Sequence, residues 1–367
     1  MDAIQRWQAC KKVQLKQSKV FLKMIKIAID AMSGDLGVDA TIPGLLSYIQ
    51  KHKDGDVVFE VFGNASVLGN KIPDNCKGII DIVDTGDKVI SGSEKPAHVL
   101  RYGRGSSLFE SVAFVADGKA DVVVSSGNTG AYMALCKILI GTFDEIERPA
   151  IVSVIPNTKG KTVMLDLGAN TDCSSKKLLQ FAIMGKAVAD SLLGIKDPKV
   201  GLLNIGTEKT KGNDVLAKAY DLMQASKEVN FSGFVEGTDI TNGTVDVIVT
   251  DGFSGNISLK TMEGTLRYIV HCLKEGFSGS LLSKIGYLLC RKALNKMKHN
   301  IDPRNHNGAP LVGLKKIAIK SHGGSDAVGF EHAIEAAVNL AKTSFIKDIE
   351  RMVLESEKEN TDEISSK

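Results

Sequence analysis

Val245-Asp-Val-Ile-Val-Thr-Asp-Gly-Phe-Ser-Gly-Asn256 is the stretch that decides the fold class of this chain. Val245–Thr250 reads as a buried strand, and the strand runs straight into a Gly-rich turn tipped by Asp251 and Asn256. A helical pattern opens at Ile257. Such a turn leaves free backbone N–H groups at a helix start, and glycine lets a ligand come close, so the segment is suited to hold an anion. The chain repeats the arrangement in Val122-Val-Val-Ser-Ser-Gly-Asn-Thr-Gly130, Val163-Met-Leu-Asp-Leu-Gly-Ala-Asn170 and Val200-Gly-Leu-Leu-Asn-Ile-Gly-Thr207. Several polar loops at the carboxyl ends of strands point to one shared cleft.

Outward from these segments, short apolar runs alternate with helical patterns. Strands are expected at Ile25–Ile29, Val57–Phe62, Ile79–Val83, Asp121–Val124, Ile151–Ile155, Thr162–Leu167, Lys199–Ile205, Val245–Thr250 and Ile317–Lys320. Helices are expected near 38–51, 97–117, 130–140, 175–193, 213–227, 257–275, 281–298 and 327–354. Many of the strands are apolar on both faces, as in a parallel sheet covered by helices. The expectation is an α/β fold of three αβα layers on a mostly parallel sheet, with ligands outside the carboxyl ends of its strands. At 367 residues the chain is long enough for two domains or one with two lobes.

The helical patterns at 257–275 and 281–298 depart from this alternation, because only Gly276–Ser280 separates them. Leu259, Met262, Leu266, Ile269, Val270 and Leu273 share one helical face, and Leu281, Ile285, Leu288 and Leu289 share another. Lys284, Arg291, Lys292, Lys296 and Lys298 add charge. This is a helical hairpin inserted into an α/β chain. It reads either as an ordinary dimer or core contact, or as a basic amphipathic surface for anionic lipid or an acidic protein.

The bulk figures exclude several classes. A net charge of +3 is too small to point to nucleic acid. Cys10, Cys76, Cys136, Cys173, Cys272 and Cys290 are scattered without a C-x-x-C pair, which suggests reduced, cytoplasmic thiols. No apolar run reaches the length of a membrane span. Residues 1–23 are basic and lack the apolar region of a secretory signal; they read as a disordered basic arm, a targeting segment or a mis-assigned start before Met24, with a disordered, non-essential extension favoured. The catalytic α/β domain is expected over 24–347, with an acidic tail over 348–367.

The loops limit the chemistry. Asp30-Ala-Met-Ser-Gly-Asp35 follows the first strand, and is either a strand-to-helix turn capped by Asp35 or a phosphate loop. Asn128 and Thr129 either cap a helix or hydrogen-bond an oxyanion. Asp166 either holds a neighbouring loop by accepting its N–H groups or lines the site with Asn170. Thr207-Glu-Lys-Thr-Lys-Gly-Asn213 carries two lysines beyond a buried strand, suited to a phosphate or an oxyanion. His322 in Lys320-Ser-His-Gly-Gly-Ser325 is an acid–base candidate. No His spacing suits zinc, no G-x-S-x-G elbow marks a serine hydrolase, and no P-loop is present. Gly103-Arg-Gly105 lies inside a helical pattern and lacks the rest of a dinucleotide fingerprint.

With these loops in hand, the chain resembles the bacterial phosphate acyltransferase (PlsX) family from about Lys26 to about Leu340. The marks are Asp30-Ala-Met-Ser-Gly-Asp35, Ala120–Ala131, Arg148-Pro-Ala150, Leu165–Asn170, Gln180–Gly185, Leu202–Glu208 with Lys211-Gly-Asn213, Asp251–Asn256, Asn307-Gly-Ala309 and Lys320–Gly323. It departs at Ser33, where the family usually has glycine, near Val38, where proline is usual, and at Ser126, where alanine is usual. The resemblance implies transfer of a fatty acyl group from acyl-carrier protein to inorganic phosphate, giving an acyl phosphate for phospholipid synthesis. It implies no metal or organic cofactor, a two-lobed fold like that of phosphotransacetylases and isocitrate dehydrogenases, a homodimer, and peripheral attachment to membrane. On this reading Lys211, Asn256, Asp251 and His322 are the catalytic candidates. Asp30, Ser33, Gly34, Asn128, Thr129, Asp166, Asn170, Gly206, Gly252 and Gly255 are the substrate-binding ones. The competing readings are an acyl-coenzyme A:phosphate transferase, a non-catalytic membrane scaffold for phospholipid enzymes and, more distantly, a dehydrogenase.

Overall fold

The computed structural model describes residues 24–52 and 55–365; the basic extension 1–23 lies outside them. The strands are β1 (Ile25–Asp30), β2 (Val57–Gly63), β3 (Ile80–Asp84), β4 (Val122–Ser125), β5 (Ala150–Pro156), β6 (Lys161–Leu165), β7 (Lys199–Leu203), β8 (Asn230–Val235), β9 (Val247–Val249), β10 (Ala309–Val312) and β11 (Ile317–Lys320). They form one sheet in the order β3-β2-β1-β4-β11-β10-β5-β6-β9-β7-β8. The strands are buried on both faces because their apolar residues alternate between two helix layers. Val122, Val124, Val163, Leu165, Val247 and Val249 pack on one side with the helices Val38–Lys51, Ser175–Val188 and Ala327–Ala341. Val123, Met164 and Ile248 pack on the other side with Ser107–Ala116 and Thr129–Leu135.

The sheet has a feature that the sequence does not announce. β3, β2, β1, β4 and β11 run parallel, and so do β6, β9, β7 and β8. Between these blocks, β10 is antiparallel to both β11 and β5, and β5 is antiparallel to β6. The blocks therefore run in opposite directions. Their carboxyl ends leave opposite edges of the sheet, and not one common edge.

Several boundaries move relative to the sequence reading. The helix expected from Ile257 begins at Gly252 and runs to Ser278, with Asp251 as its N-cap, so Asn256 stands inside a helix and not in a turn. The second arm of the hairpin is Leu281–Ile301. The pattern at 97–117 splits into Pro96–Tyr102 and Ser107–Ala116, and Gly103–Gly105 form the break, with Ser106 capping the second piece. The stretch 327–354 is likewise two helices, Ala327–Ala341 and Phe345–Ser365. Ile349, Met352 and Val353 are buried, so the start of the acidic tail belongs to the core. β8 and β10 were missed: β8 carries Gly233 and polar residues, and Pro310 sits inside β10, where proline argues against a strand.

Candidate functional site

The floor of the site is built by β1, β4 and β11. Ser125 is in register with Asp30 on one side and Lys320 on the other. Side chains alternate along a strand, so these residues form a row on one face of the sheet. Asp30 is fully buried and accepts hydrogen bonds from Ser107 Oγ and Ser125 Oγ, both at 2.6 Å. It works beneath the site as a holder of strand ends. Lys320 is only 7% exposed. Its ammonium donates to the Ser321 carbonyl, and among the described residues no carboxylate lies within ion-pair distance of it. Burial pushes its pKa down to about 8, against the pull of Asp30 and Asp35.

Above this row lie the loops. Gly34 takes φ +93°, open to glycine, and a Cβ there would sit 2.5 Å from Ser126 Oγ. Asp35 N–H donates to the Gly323 carbonyl (2.9 Å) and Ser126 Oγ to the Ser33 carbonyl (2.7 Å), so the loops after β1, β4 and β11 are tied together. Asp35 does not cap the following helix, whose N-cap is Gly37. The Ser33 hydroxyl is fully buried and has no hydrogen-bond partner. Asn128 caps its helix by accepting from Ala131 N–H (3.0 Å), while its amide donates to the Gly92 carbonyl (2.7 Å). Thr129 is the exposed first residue of that helix.

The roof is the Gly252–Ser278 helix. Asp251 accepts from Ser254 N–H and Ser254 Oγ, both at 2.8 Å, so its carboxylate fixes the helix start. Gly252 and Gly255 let that start press against the loop after β6. A Cβ on Gly255 would fall 2.0 Å from the Asp166 carbonyl oxygen, and one on Gly252 would fall 2.6 Å from that of Asn170. Asp166 is buried and accepts from the N–H groups of Ile151 (2.9 Å), Ala169 (3.1 Å) and Asn170 (2.6 Å). Burial raises its pKa against these bonds. Asn170 donates to the Pro149 carbonyl and to Asp166, both at 2.9 Å, while its own Oδ1 is buried without a partner.

The exposed side of the same helix carries Asn256 and Lys260. Asn256 lies against Gly168, whose built Cβ would be 3.6 Å from Asn256 Cγ. Lys260 stands four positions on, about 6 Å up the same face. Lys260 Nζ is 3.3 Å from His322 Nε2, while Gly324 N–H is 3.1 Å from His322 Nδ1. A neutral ring can accept at only one of its nitrogens, but a donor facing either one opposes the doubly protonated imidazolium. Loss of water around the ring and the Lys260 charge accordingly hold the His322 pKa below its ordinary value. One turn of helix thus meets a loop from each parallel block.

Lys211 sits in the exposed loop beyond β7, against Gly206, whose built Cβ would be 2.9 Å from Lys211 Cγ. The Lys211 carbonyl accepts from Asn204 Nδ2 at 3.2 Å, which shapes the loop. Beside it opens a cavity of about 600 Å³, lined among others by Cys173, Asn213, Leu216, Asp251, Phe253 and Ser254. The structure thus brings Asp251, Asn256 and His322 to one helix and sets Lys211 on the loop that flanks its start. It places Asp30, Asp166 and Asn170 behind the surface as supports. Sequence reasoning missed Lys260 and Lys320. The only signal for Lys320 was its position at a strand end before Ser-His-Gly-Gly, and for Lys260 its helical spacing from Asn256.

Residues 25–348 match the model of a family described as fatty acid synthesis protein. The chain belongs to this family. Among its relatives, the phosphate acyltransferase of Paramagnetospirillum magneticum is 48% identical over 320 residues, covering 86% of this chain and 90% of that protein. The phosphate acyltransferase of Rhodospirillum rubrum is 43% identical over 325 residues, covering 88% and 93%. Among solved structures, a phosphotransacetylase from Streptococcus pyogenes superposes with a TM-score of 0.56 at 17% identity, covering 87% of this chain and 94% of that one. This likeness shows a shared fold. For this fatty acid synthesis protein family member, the family resemblance read from its motifs is therefore shown, and so is the mixed α/β architecture.

Proposed function

We propose that this chain is a phosphate acyltransferase that moves a fatty acyl group from the thioester of acyl-carrier protein to inorganic phosphate. The products are an acyl phosphate and the free carrier thiol. The observation that carries the reading is the placing of Asn256 and Lys260 one turn apart on a helix start, facing Gly168 and His322. A carbonyl carbon attacked in this cleft has a neutral amide donor and an ammonium within one helical turn. The reaction asks little else of the protein. Phosphate is anionic near neutral pH, and a thiol of pKa about 8.5 leaves readily as thiolate. Positioning the reactants and stabilising the tetrahedral oxyanion supply most of the rate.

Within this reading Asn256 donates to the developing oxyanion, and Lys211 faces phosphate or that oxyanion from the flanking loop. Asp251 holds the helix start in place. His322, neutral at pH 7, acts as a hydrogen-bonding group beside Lys260 more readily than as a cationic acid. Ser33, Gly34, Asn128, Thr129 and Gly206 border the substrates, and Asp30, Asp166, Asn170, Gly252 and Gly255 keep the cleft in shape. Purified protein given long-chain acyl-carrier protein and phosphate should form acyl phosphate, and should do so faster than with acyl-coenzyme A. No acyl phosphate from the carrier thioester would overturn the reading, and a preference for coenzyme A would replace it with the phosphotransacetylase-like one. Lys211→Ala should abolish most turnover; cellular function that survives this change would favour a non-catalytic scaffold.

The same proposal places the chain in the cytoplasm, docked on an anionic membrane surface through the hairpin, and working as a homodimer. No helix among the described residues is long and apolar enough to cross a membrane. The second hairpin arm instead exposes Leu281, Leu282, Ile285, Leu288 and Leu289 beside Lys284, Arg291 and Lys292. Sedimentation equilibrium tests the dimer.

A further inference from the structure

Lys320 is a buried cation whose hydrogen-bonding capacity is unmet. An ammonium has three N–H donors and no acceptor. In this structure Lys320 donates to the carbonyl of the adjacent Ser321, and among the described residues no carboxylate is within ion-pair reach. Its neighbour in the row, Ser125, is spoken for: it donates to Asp30 Oδ2 (2.6 Å) and accepts from Gly127 N–H (2.9 Å). Asp30 in turn has both oxygens occupied by hydroxyls. A buried ammonium left with open donors is costly unless an acceptor arrives.

A second unmet group belongs to the same cluster of loops. The Ser33 hydroxyl is fully buried and unpartnered, and it lies beside the spot above Gly127, where a built Cβ would meet Ser33 Oγ at 3.1 Å and Ser125 Oγ at 3.2 Å. The loop of Ser33 is bonded to that of Lys320 through Asp35 N–H and the Gly323 carbonyl. Lys260 approaches from the roof and meets His322, two residues beyond Lys320. Donors therefore converge on the carboxyl ends of β1, β4 and β11 from below and above, and Asp35 is the neighbouring carboxylate. That set suits a small tetrahedral oxyanion, which can accept from a lysine, a hydroxyl and loop backbone together.

We infer that Lys320 is a second anion-binding residue of the reaction, holding the inorganic phosphate acceptor at the β1–β4–β11 edge while the Asn256 side of the long helix holds the thioester. The inference rests on the acyl-transfer reading above. It divides the labour between the parallel blocks: the β1–β4–β11 block binds the nucleophile, the β6–β9–β7 block presents the acyl group, and the long helix spans both. At a pKa of about 8 Lys320 is mostly charged at neutral pH, and a bound phosphate would raise that value further.

The test reads phosphate and carrier separately. Lys320→Met should raise the KM for phosphate by about 10- to 100-fold, the scale of one lost charged hydrogen bond, and leave the KM for acyl-carrier protein nearly unchanged. Lys320→Arg should restore part of the loss. A phosphate KM equal to that of the unmodified enzyme would overturn the inference while leaving the acyltransferase reading intact; absence of acyl phosphate from the unmodified enzyme would instead remove the reading. A variant that does not fold is covered by a measurement on the natural chain. Acetic anhydride labelling followed by mass spectrometry should show Lys320 protected several-fold by inorganic phosphate, with exposed Lys119 unaffected. Equal labelling of Lys320 with and without phosphate also overturns the inference.

Discussion

Lys260 Nζ and His322 Nε2 lie 3.3 Å apart although 62 residues separate them, and this contact joins the two oppositely directed halves of the sheet. Lys260 belongs to the helix that leaves β9, and His322 to the loop that leaves β11. The ammonium opposes protonation of the ring, in addition to the ring's loss of water. Lys260→Ala should therefore raise the His322 pKa towards its ordinary value. An NMR titration of the His322 ring checks this; an unmoved midpoint would mean that burial alone sets it.

Asn256 should be a functional residue with little effect on stability. Its side chain is exposed on the long helix, so Asn256→Ala removes a donor without opening the core. Loss of one oxyanion donor lowers kcat by about 10²–10³-fold. Single-turnover acyl transfer together with thermal unfolding checks both halves. A large fall in melting temperature would move Asn256 from the chemistry to the scaffold.

Gly255 should behave in the opposite way. The Cβ of an alanine there would lie 2.0 Å from the Asp166 carbonyl oxygen and 2.9 Å from Thr250 Cγ2. Both neighbours are held: Asp166 by its bonded loop, and Thr250 by its pairing with the Leu165 carbonyl through N–H at 2.8 Å. Gly255→Ala should cost about 1–3 kcal/mol, as for overpacking in a tight site, and denaturant unfolding measures it. Retained stability would show that the helix start can lift off the β6 loop.

How much of this was legible follows from where each contact is made. The Asp251 cap could be read locally, since Asp-Gly-Phe-Ser places an acceptor three residues before its Ser254 donor. Asn256 stood out as a residue, but its place in the helix did not, because Gly252 and Gly255 disguise the first turn as a loop. Their reason for being glycine lies in the Asp166 loop, 86 residues earlier for Gly252 against Asp166. The reversal of the second block was hidden because it depends on β10, and Pro310 hides β10. In the sequence Lys320 is only the start of a histidine motif. What marks it is burial beside Ser125 and Asp30, and that depends on the register of β1, β4 and β11.

The burial of Lys320 gives phosphate binding a definite pH dependence. Lysine binds phosphate as a cation, so the protonated form is the competent one. Burial lowers its pKa to about 8, Lys260 works in the same direction, and Asp30 and Asp35 oppose both, with His322 beside it in the next loop. Expressed per phosphate dianion, because inorganic phosphate itself loses a proton near neutral pH, the KM for phosphate should be flat below about pH 8 and rise above it, by up to about tenfold per pH unit. The KM for acyl-carrier protein should not share that midpoint. A phosphate KM independent of pH between 7 and 9, measured at constant ionic strength, would separate Lys320 from the acceptor.

The hairpin offers the last test, and it can be run without any chemistry. Leu281, Leu282, Ile285, Leu288 and Leu289 fall at helical spacing on one stripe, and Leu281 and Leu289 are 80% and 82% exposed. An exposed leucine stripe flanked by Lys284, Arg291 and Lys292 is costly in water and suited to a headgroup boundary, where the leucines enter the acyl region and the cations meet anionic lipid. Each leucine or isoleucine transferred contributes about 1.5–3 kcal/mol. Leu281→Glu with Ile285→Glu should thus weaken co-sedimentation with phosphatidylglycerol vesicles by about a hundredfold or more. The substitutions lie far along the hairpin from Asn256, and should leave turnover with soluble carrier substrate unchanged if the protein keeps its oligomeric state. Equal vesicle binding by the double variant would assign the stripe to a protein contact, and a simultaneous change in sedimentation equilibrium would identify that contact as the partner copy.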